Sequence, residues 1–466
     1  MVSFSFLDIV VIVIFVIILL LIGFYSGKQT KSDADDYLLS GRKVGLLLFV
    51  LTTVSAWYGG ILGVGEFTYR YGIASWFTQG FPYYLFAFLF AIFFAKKIRE
   101  ASLFTIPDKL SDTYGKKVGL ISAILVFILV SPAPYLLMTA SLISLIFNIN
   151  IVYSLAISLV LSLSYLFKGG FRSSVYTDSF QFFIMFLAFI VILVFCYTTL
   201  GGTSFLVHSL PRKHLTLTGG ATPTFLIVWF LIALWTFADP GFHQRAYAAK
   251  TGDIAKKGIL ISIGFWALFD FLTTSTGLYS RALIPNMGQP VLAFPLLAEK
   301  ILKPGFKGIF YAGLFATIIS TLNSFLFLSG TTIGRDFIFR LSKYSSESKL
   351  KEYTVYGLIA SGIIAALLGY AIPSVIQIWY TIGSICIPGM IIPVISAYYT
   401  KIKIDKKTVL IEMIFAVLCS LTWYIVRDNF SNITIINEIE PMLVGLGVSL
   451  IIHTVGMFMT NQAQLS

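Results

Sequence analysis

Long apolar runs separated by short polar stretches cover most of the chain. A helix needs about 20 predominantly apolar residues to cross the hydrocarbon core of a bilayer. The pattern therefore predicts an all-α polytopic membrane protein with about thirteen transmembrane helices. The apolar runs cover residues 6–25, 44–66, 73–95, 118–146, 150–167, 175–199, 224–243, 258–280, 306–330, 353–371, 374–399, 408–426 and 441–459.

The polar stretches between the runs differ in charge. The first run contains Asp8 and lacks Lys and Arg, whereas Lys28 and Lys31 follow it. Basic residues concentrate in cytoplasmic loops, and alternate crossings place most of the Lys and Arg residues on the side of Lys28. We therefore expect an integral protein of the plasma membrane, with its N-terminus outside and its C-terminus in the cytoplasm. A secretory signal peptide would begin with a basic stretch, so the first run is expected to be a membrane helix.

Composition narrows the class of protein. Hydrophobic residues make up 57% of the 466 residues and charged residues only 12%, whereas soluble domains have about 25% charged residues. This excludes a soluble enzyme and a nucleic-acid binder, and the net charge of +12 fits basic cytoplasmic loops. The cysteines and histidines show no metal-ligand spacing. We expect no enzymatic activity and no organic cofactor.

Two of the predicted spans are interrupted. The second contains Gly59, Gly60, Gly63 and Gly65, and the seventh contains Asp239-Pro240-Gly241. A broken helix exposes backbone groups that lipid cannot satisfy, so it is tolerated where it lines a polar cavity. The breaks lie five spans apart, as expected for the first helices of two five-helix halves, and paired broken helices indicate a transporter site. Taken singly, each break is also compatible with close helix packing or an ordinary proline kink.

Five groups of motifs identify a family. In chain order they are Asp36-Tyr37-Leu38-Leu39-Ser40-Gly41-Arg42; Thr105-Ile106-Pro107-Asp108-Lys109-Leu110 with Tyr114-Gly115; Gly169-Gly170 with Tyr176-Thr177-Asp178 and Gln181; Asp239-Pro240-Gly241 with Gln244-Arg245 and Ala248-Ala249-Lys250; and Ala316-Thr317-Ile318-Ile319-Ser320-Thr321. In these motifs the chain resembles the sodium:solute symporter family, which has the leucine-transporter-type fold.

The resemblance implies a core of two inverted five-helix repeats with broken first and sixth core helices. It divides the chain into four parts. They are an additional N-terminal helix and loop (1–43), the first repeat (44–199), the second repeat with its connecting outer loop (200–400) and two C-terminal helices (401–466).

The resemblance also implies a sodium site between the broken first core helix and the eighth. Carried over by position, the ligands are the backbone carbonyls of Leu51, Val54 and Thr317 and the hydroxyls of Ser320 and Thr321. Alternatively, these hydroxyls donate to carbonyls one turn earlier in their own helix.

Some relatives hold a second sodium ion. The matching residues here are Asp178, Ser320, Asn323 and Ser324, although Asn323 departs from the hydroxyl expected at its position. Asp178 is equally suited to cap the start of its helix, where a carboxylate meets unpaired N–H groups.

Acidic residues fall in or at the ends of the predicted spans, whereas Lys and Arg are absent from the span interiors. Asp270 lies about 18 Å into a helix that begins near Gly258, close to the bilayer centre, where a charge is usually functional. Its alternative is a structural acid bonded by neighbouring hydroxyls. Glu66 is expected to pair with Arg70, and Asp239 either caps a half-helix or faces the cavity.

An excess of acid indicates a site for sodium, protons or a positively charged or zwitterionic solute. The candidate solute-binding residues flank the two breaks, and they are Trp57, Tyr58, Trp235, Asp239, Asp270 and Tyr380. Packing or lipid-facing positions are alternatives for the aromatic residues.

These observations predict a secondary active transporter that carries a small organic solute into the cell with sodium by alternating access. The alternatives are a proton-coupled symporter of the same fold, using Asp270 or Asp178, and a polytopic sensor or channel. The sequence names neither the solute nor the oligomeric state.

Overall fold

The computed structural model describes residues 2–31, 33–342, 349–372, 375–430 and 439–465. Helices account for almost all of the regular structure in these ranges. The β-structure there is one isolated bridge between Val44 and Ala249. The all-helical prediction is confirmed.

The first part of the chain forms ten α-helices. Their bounds are α1 Phe6–Lys28, α2 Ala34–Leu39, α3 Leu46–Ser55, α4 Ile61–Tyr71, α5 Phe81–Phe93, α6 Ala95–Ala101, α7 Ile106–Tyr114, α8 Lys116–Leu129, α9 Ala133–Phe147 and α10 Ile151–Leu200. A π-helical turn, Trp76–Gly80, leads directly into α5.

The rest of the described chain forms eleven α-helices. Their bounds are α11 Gly202–Ser209, α12 Pro223–Ile232, α13 Pro240–Ala248, α14 Gly252–Leu283, α15 Ala293–Ile301, α16 Phe306–Thr331, α17 Leu350–Ala371, α18 Val375–Cys386, α19 Ile391–Ala397, α20 Lys406–Val426 and α21 Pro441–Leu465. A second π-helical stretch, Thr332–Phe339, extends α16.

Ten stretches of described helix are long and apolar enough to span a bilayer. One of them, α10, has 50 residues and would be about 75 Å long if straight, more than twice the hydrocarbon thickness. It bends at Gly170, whose φ of 53° is strained for any residue with a Cβ. This helix therefore supplies two spans. The predicted count of thirteen is approximate, since the interrupted spans are built from shorter pieces.

The N-terminal helix is fixed to the centre of the bundle by one carboxylate. Asp8 forms a capping box with Ser5 at the start of α1. It also accepts hydrogen bonds from the backbone N–H groups of Gly305 and Gly308, both at 2.8 Å, where α16 begins. Asp8 thereby satisfies N–H groups that have no partner within their own helix.

The beginnings of α1 and α16 mark one end of the bundle, called here the N-side. The end of α4 lies against the end of α14, since Tyr69 donates a hydrogen bond to the carbonyl of Ile284 at 2.6 Å. The short helix α15 connects the end of α14 to the beginning of α16, so the end of α4 also lies at the N-side. In α16 and its extension, 89% of the residues in the apolar 18-residue stretch are buried inside the protein. This helix is therefore the central element of the protein.

Candidate functional site

The first interruption separates α3 from α4 and lies against α16. The helix stops at Ser55 and restarts at Ile61. Thr321 of α16 donates its hydroxyl to the carbonyl of Ala56 at 2.9 Å. Gly59 is packed so closely that a Cβ there would lie 2.3 Å from the Cβ of Thr321. The predicted break is confirmed, and the close approach explains why glycine occupies this position.

The second interruption separates α12 from α13. A 3₁₀ stretch, Ala233–Ala238, follows α12, and α13 begins at Pro240. Asp239 caps α13 by accepting a hydrogen bond from the N–H of Phe242 at 2.8 Å. Asp239 also borders the cavity described below. It therefore both caps the half-helix and faces the cavity, which were the two alternatives expected for it.

Backbone hydrogen bonds connect the two interrupted helices at the side opposite the N-side. The N–H of Val44 donates to Ala248 O at 3.1 Å, and the N–H of Lys250 donates to Val44 O at 2.9 Å. Val44 precedes α3, Ala248 is the last residue of α13, and Lys250 lies two residues beyond it. The start of the first broken helix is thus attached to the end of the second.

Hydroxyl groups line the contact between α3 and α16. Ser320 lies with its Oγ 3.1 Å from that of Ser55, and Thr317 donates to Gly313 O within its own helix at 2.6 Å. Leu51 and Val54 occupy the last two turns of α3. For Ser320 and Thr321, bonding within the same helix is not the main arrangement, because both hydroxyls reach across to other elements.

Asp178 lies at the centre of a polar cluster and is fully buried. It accepts hydrogen bonds from the hydroxyls of Thr52 at 2.6 Å and Ser320 at 2.9 Å. The hydroxyl of Ser174 is 3.5 Å away. Capping of a helix start by Asp178 is wrong, because α10 runs continuously through this position after its bend at Gly170. The carboxylate instead joins α10 to α3 and α16.

Arg245 contradicts the expectation that basic residues stay out of the membrane interior. It belongs to α13, and its side chain is 5% exposed. Its Nη2 lies 3.4 Å from Asp178 Oδ2 and donates to Ser324 Oγ at 2.9 Å. The apolar run of the seventh predicted span ends at residue 243, so the pattern predicts that Arg245 lies in the loop that follows it. The restart of the helix at Pro240 turns the guanidinium inward.

The four residues predicted for a second sodium ion do not all converge. Asp178 lies between Ser320 and the guanidinium of Arg245, which also contacts Ser324. Asn323 directs its amide nitrogen to the hydroxyl of Tyr165, and its oxygen has no hydrogen-bond partner in the described part of the chain.

A cavity of about 570 Å³ lies between the two interruptions. Thr321, Ser324 and Arg245 belong to its wall, and the residues Glu66, Arg70 and Tyr71 lead from it toward the N-side. Eleven of the other lining residues are aromatic, and they are Trp57, Tyr58, Phe67, Trp76, Tyr83, Tyr135, Phe225, Trp229, Trp235, Phe242 and Phe325. Its size suits a small organic molecule.

Trp57 is the centre of an aromatic group at the first break. Its ring lies 5.1 Å from Tyr83, 5.2 Å from Phe242 and 5.5 Å from Trp266, measured between centroids. Tyr58 donates its hydroxyl to Trp266 O at 2.9 Å. These contacts pack rings from the two interrupted helices, α5 and α14 against one another.

Asp270 also lines the cavity. It accepts a hydrogen bond from the hydroxyl of Tyr84, and no cation pairs with it among the residues that the structure describes. Opposite it lies the π-helical turn, where a Cβ on Gly80 would be 2.8 Å from Asp270 Oδ2. Single π-helical turns are frequent at functional sites. Sequence reasoning missed this turn, since no residue pattern distinguishes it from an ordinary helix.

Two other candidates from the sequence have different outcomes. Glu66 and Arg70 form the expected pair, with Arg70 Nη2 2.9 Å from Glu66 Oε1. The side chain of Tyr380 lies outside the part of the molecule that the structure describes.

Interrupted helices that meet at a partly polar cavity in a helical membrane bundle define a secondary transporter. The model of one protein family, the sodium:solute symporter family, matches residues 37–402. The chain therefore belongs to the sodium:solute symporter family, whose members and neighbours are secondary transporters and not enzymes. Membership supports sodium-coupled symport, with sodium as the coupling ion.

Relatives of known function share about a quarter of their residues with this chain. The high-affinity choline transporter 1 of Drosophila melanogaster is 25% identical over an alignment of 399 residues that covers 80% of this chain and 63% of that protein. The sodium/proline symporter of Staphylococcus aureus (strain JH9) is 24% identical over an alignment of 377 residues that covers 76% of this chain and 72% of the relative. The match thus spans less than two thirds of the choline transporter.

Solved structures confirm the fold. A substrate-bound, outward-open Na⁺-coupled sialic acid symporter superposes with a TM-score of 0.84, at 16% identity and with 98% of both chains covered. Mhp1, a nucleobase-cation-symport-1 family transporter in a closed conformation, gives a TM-score of 0.56 at 13% identity, with 92% of this chain and 95% of Mhp1 covered.

Proposed function

We propose that this protein carries a small solute with a positively charged amine into the cell, together with sodium, by alternating access. The observation that supports this most directly is Asp270. It is a carboxylate in an aromatic cavity near the middle of α14, and it has no basic partner in the described chain. A charge at this depth is expensive unless a counter-ion neutralises it.

The sodium ion is assigned to the contact between α3 and α16. Its ligands are the carbonyls of Leu51, Val54 and Thr317 and the hydroxyls of Ser320 and Thr321. The arrangement supports this assignment because α3 ends at Ser55, where its oxygen atoms lie close to the hydroxyls of Ser320 and Thr321. Sodium is a hard cation and prefers oxygen ligands. Thr321 borders the cavity, so an ion that enters the cavity reaches the site directly.

The solute is assigned to the cavity between the breaks, in contact with Trp57, Tyr58, Trp235, Asp239 and Asp270. Aromatic faces attract ammonium groups through cation–π interactions, worth about 0.5–2 kcal/mol each. A nearby carboxylate adds a direct charge interaction. Tryptophan and tyrosine rings beside an unpaired carboxylate are therefore suited to an amine or a quaternary ammonium group.

The relatives are consistent with this chemistry. Choline, in the name of one relative, carries a quaternary ammonium group, and proline, in the name of the other, carries a protonated secondary amine. Both solutes are small and have a positively charged nitrogen. The solute of this chain is proposed to share that feature.

The proposed orientation follows from the charges of the loops and places the N-side outside the cell. The cavity would then face the external medium. The opposite end is closed by ion pairs, since Asp108 of α7 accepts a hydrogen bond from Arg335 Nε at 2.8 Å and pairs with Arg340. Rocking of the bundle would open this end after sodium and solute have bound.

Ligand-induced protection of the purified protein against thermal unfolding tests the function. We expect choline, glycine betaine and proline to raise the melting temperature in sodium chloride and not in potassium chloride. Glucose and acetate should leave it unchanged. A ligand at 100 times its Kd stabilises by about 2.7 kcal/mol, so the shift is measurable. Protection by glucose or acetate alone would refute the amine assignment, and equal protection in potassium would refute sodium coupling.

Two matched variants locate the amine site. Asp270→Asn keeps the side-chain volume and removes the charge, so it should weaken amine binding at least about tenfold, or about 1.4 kcal/mol. Glu66→Gln makes the same chemical change in a carboxylate that already pairs with Arg70, and it should change binding less than about threefold. Equal effects of the two variants would show that Asp270 is not the counter-ion.

A further inference from the structure

Asp178 is placed where its charge needs a partner. It is fully buried between α3, α10 and α16, and the groups that donate hydrogen bonds to it from α3 and α16 are the neutral hydroxyls of Thr52 and Ser320. Hydroxyls stabilise a carboxylate but carry no charge. An ionised side chain at this depth is retained only when a cation pairs with it.

Arg245 provides a cation from within the chain. Its Nη2 contacts Asp178 Oδ2 at 3.4 Å and donates to Ser324 Oγ at 2.9 Å, while Nη1 is 3.3 Å from the carbonyl of Gly241. An arginine remains protonated in proteins. The guanidinium is therefore a permanent positive charge, held in place by α13 and hydrogen-bonded to two oxygens besides that of Asp178.

We propose that Arg245 takes the place of a second coupling ion, so that the protein binds one sodium per cycle. This inference rests on the proposed sodium-coupled symport. A sodium ion ligated by Asp178 and Ser324 would lie beside the guanidinium, because both residues already contact it. Two like charges about 4 Å apart repel strongly in a low-dielectric interior. The cluster can hold one of the two cations, and the tethered one occupies it.

The charges of the buried groups agree with this stoichiometry. When ionised, Asp178 and Asp239 contribute two negative charges, and Arg245 with one sodium ion supplies two positive charges. This set is neutral, and Asp270 remains for the amine of the solute. With a second sodium ion the set would carry a net positive charge close to the positively charged nitrogen of the solute.

Direct counting of bound ions tests the proposal. The purified full-length protein is equilibrated with radioactive sodium chloride in a potassium background, and the bound ions per chain are measured at saturation. We expect one ion for the wild type. Arg245→Gln, which leaves Asp178 without its cation, should bind two. Arg245→Lys, which keeps a charge, should bind one.

The outcomes separate the inference from the proposed function. Two ions in the wild type would overturn the role of Arg245 and leave sodium coupling intact, whereas no bound sodium would overturn the proposed function itself. One ion in a folded Arg245→Gln protein would also overturn the role of Arg245. If that variant does not fold, the combined Asp178→Asn and Arg245→Gln protein, which removes both charges, should fold and bind one ion. Two ions there would contradict the proposal.

Discussion

Removal of two hydroxyls from α16 should weaken sodium binding without disturbing the helix. Ser320 and Thr321 are both buried, and both reach toward the end of α3 rather than along their own helix. Replacement of each by alanine leaves the helix backbone intact. The combined Ser320→Ala and Thr321→Ala protein therefore tests the proposed ligands and not the fold.

The expected magnitude follows from the ligand count. A hydrogen-bonding group that faces a charge contributes about 1.5–3 kcal/mol, so the loss of two such ligands is worth at most about 6 kcal/mol. Water and the remaining carbonyls recover part of this amount. A net loss equal to a single ligand, about 1.4 kcal/mol, raises the half-saturating sodium concentration tenfold. We expect at least that increase.

The assay is a sodium titration of thermal stability or of solute uptake. Ser329→Ala is the matched control, because Ser329 lies in the same helix, is 1% exposed and has a hydroxyl without a partner among the described residues. This control should keep the wild-type sodium dependence. If the double variant titrates like the control, the two hydroxyls only hold α3 against α16, and sodium binds elsewhere.

Two further predictions concern the packing of the first break and the closed end of the bundle. Gly59→Ala forces a methyl group against Thr321, at a cost of about 1–3 kcal/mol for overpacking. Protection of this variant by sodium against thermal unfolding should disappear. Gly45→Ala is the control and should retain the protection, because a Cβ at Gly45 meets nothing within 4 Å. Equal protection of both variants would contradict the close approach of Gly59 to Thr321. Asp108→Asn weakens the ion pair with Arg335, so amide exchange over 106–114 should accelerate about tenfold in hydrogen-exchange mass spectrometry, for about 1.4 kcal/mol; unchanged exchange would mean that the pair does not hold this end closed.

The apolar pattern was sufficient to predict the helical spans and their interruptions. A helix needs about 20 apolar residues to span the lipid, and backbone groups exposed to lipid are unfavourable. The spans and their interruptions are therefore visible directly in the residue order. The run of glycines from Gly59 and the Asp239-Pro240-Gly241 sequence marked breaks that the structure contains. The boundaries of the four predicted chain regions stay a prediction.

The internal cation was not predicted, because a charged residue at the end of an apolar run resembles a loop residue. Arg245 follows Pro240 by little more than one helical turn, and the segment from His243 to Ala249 contains no other charge. A helix that restarts at proline continues inward with that segment. The uncharged residues between Arg245 and Lys250 were the one indication that the helix continues inward. The end of the apolar run at residue 243 indicated a loop more strongly.

The proposed coupling has an electrostatic cause that connects the two ligands. An interrupted helix supplies oxygen ligands for sodium without adding charge, so the ion has to be balanced by buried carboxylates. Arg245 pairs with Asp178, one of the two buried carboxylates next to it, and sodium offsets the charge of the other, Asp239. Asp270 then remains as the negative charge that draws the amine. Without sodium, the cavity holds two uncompensated charges, and the solute alone balances only one of them. The closed, dehydrated state is therefore stable only when both sodium and the solute are bound, since each unpaired charge in the membrane interior costs several kcal/mol.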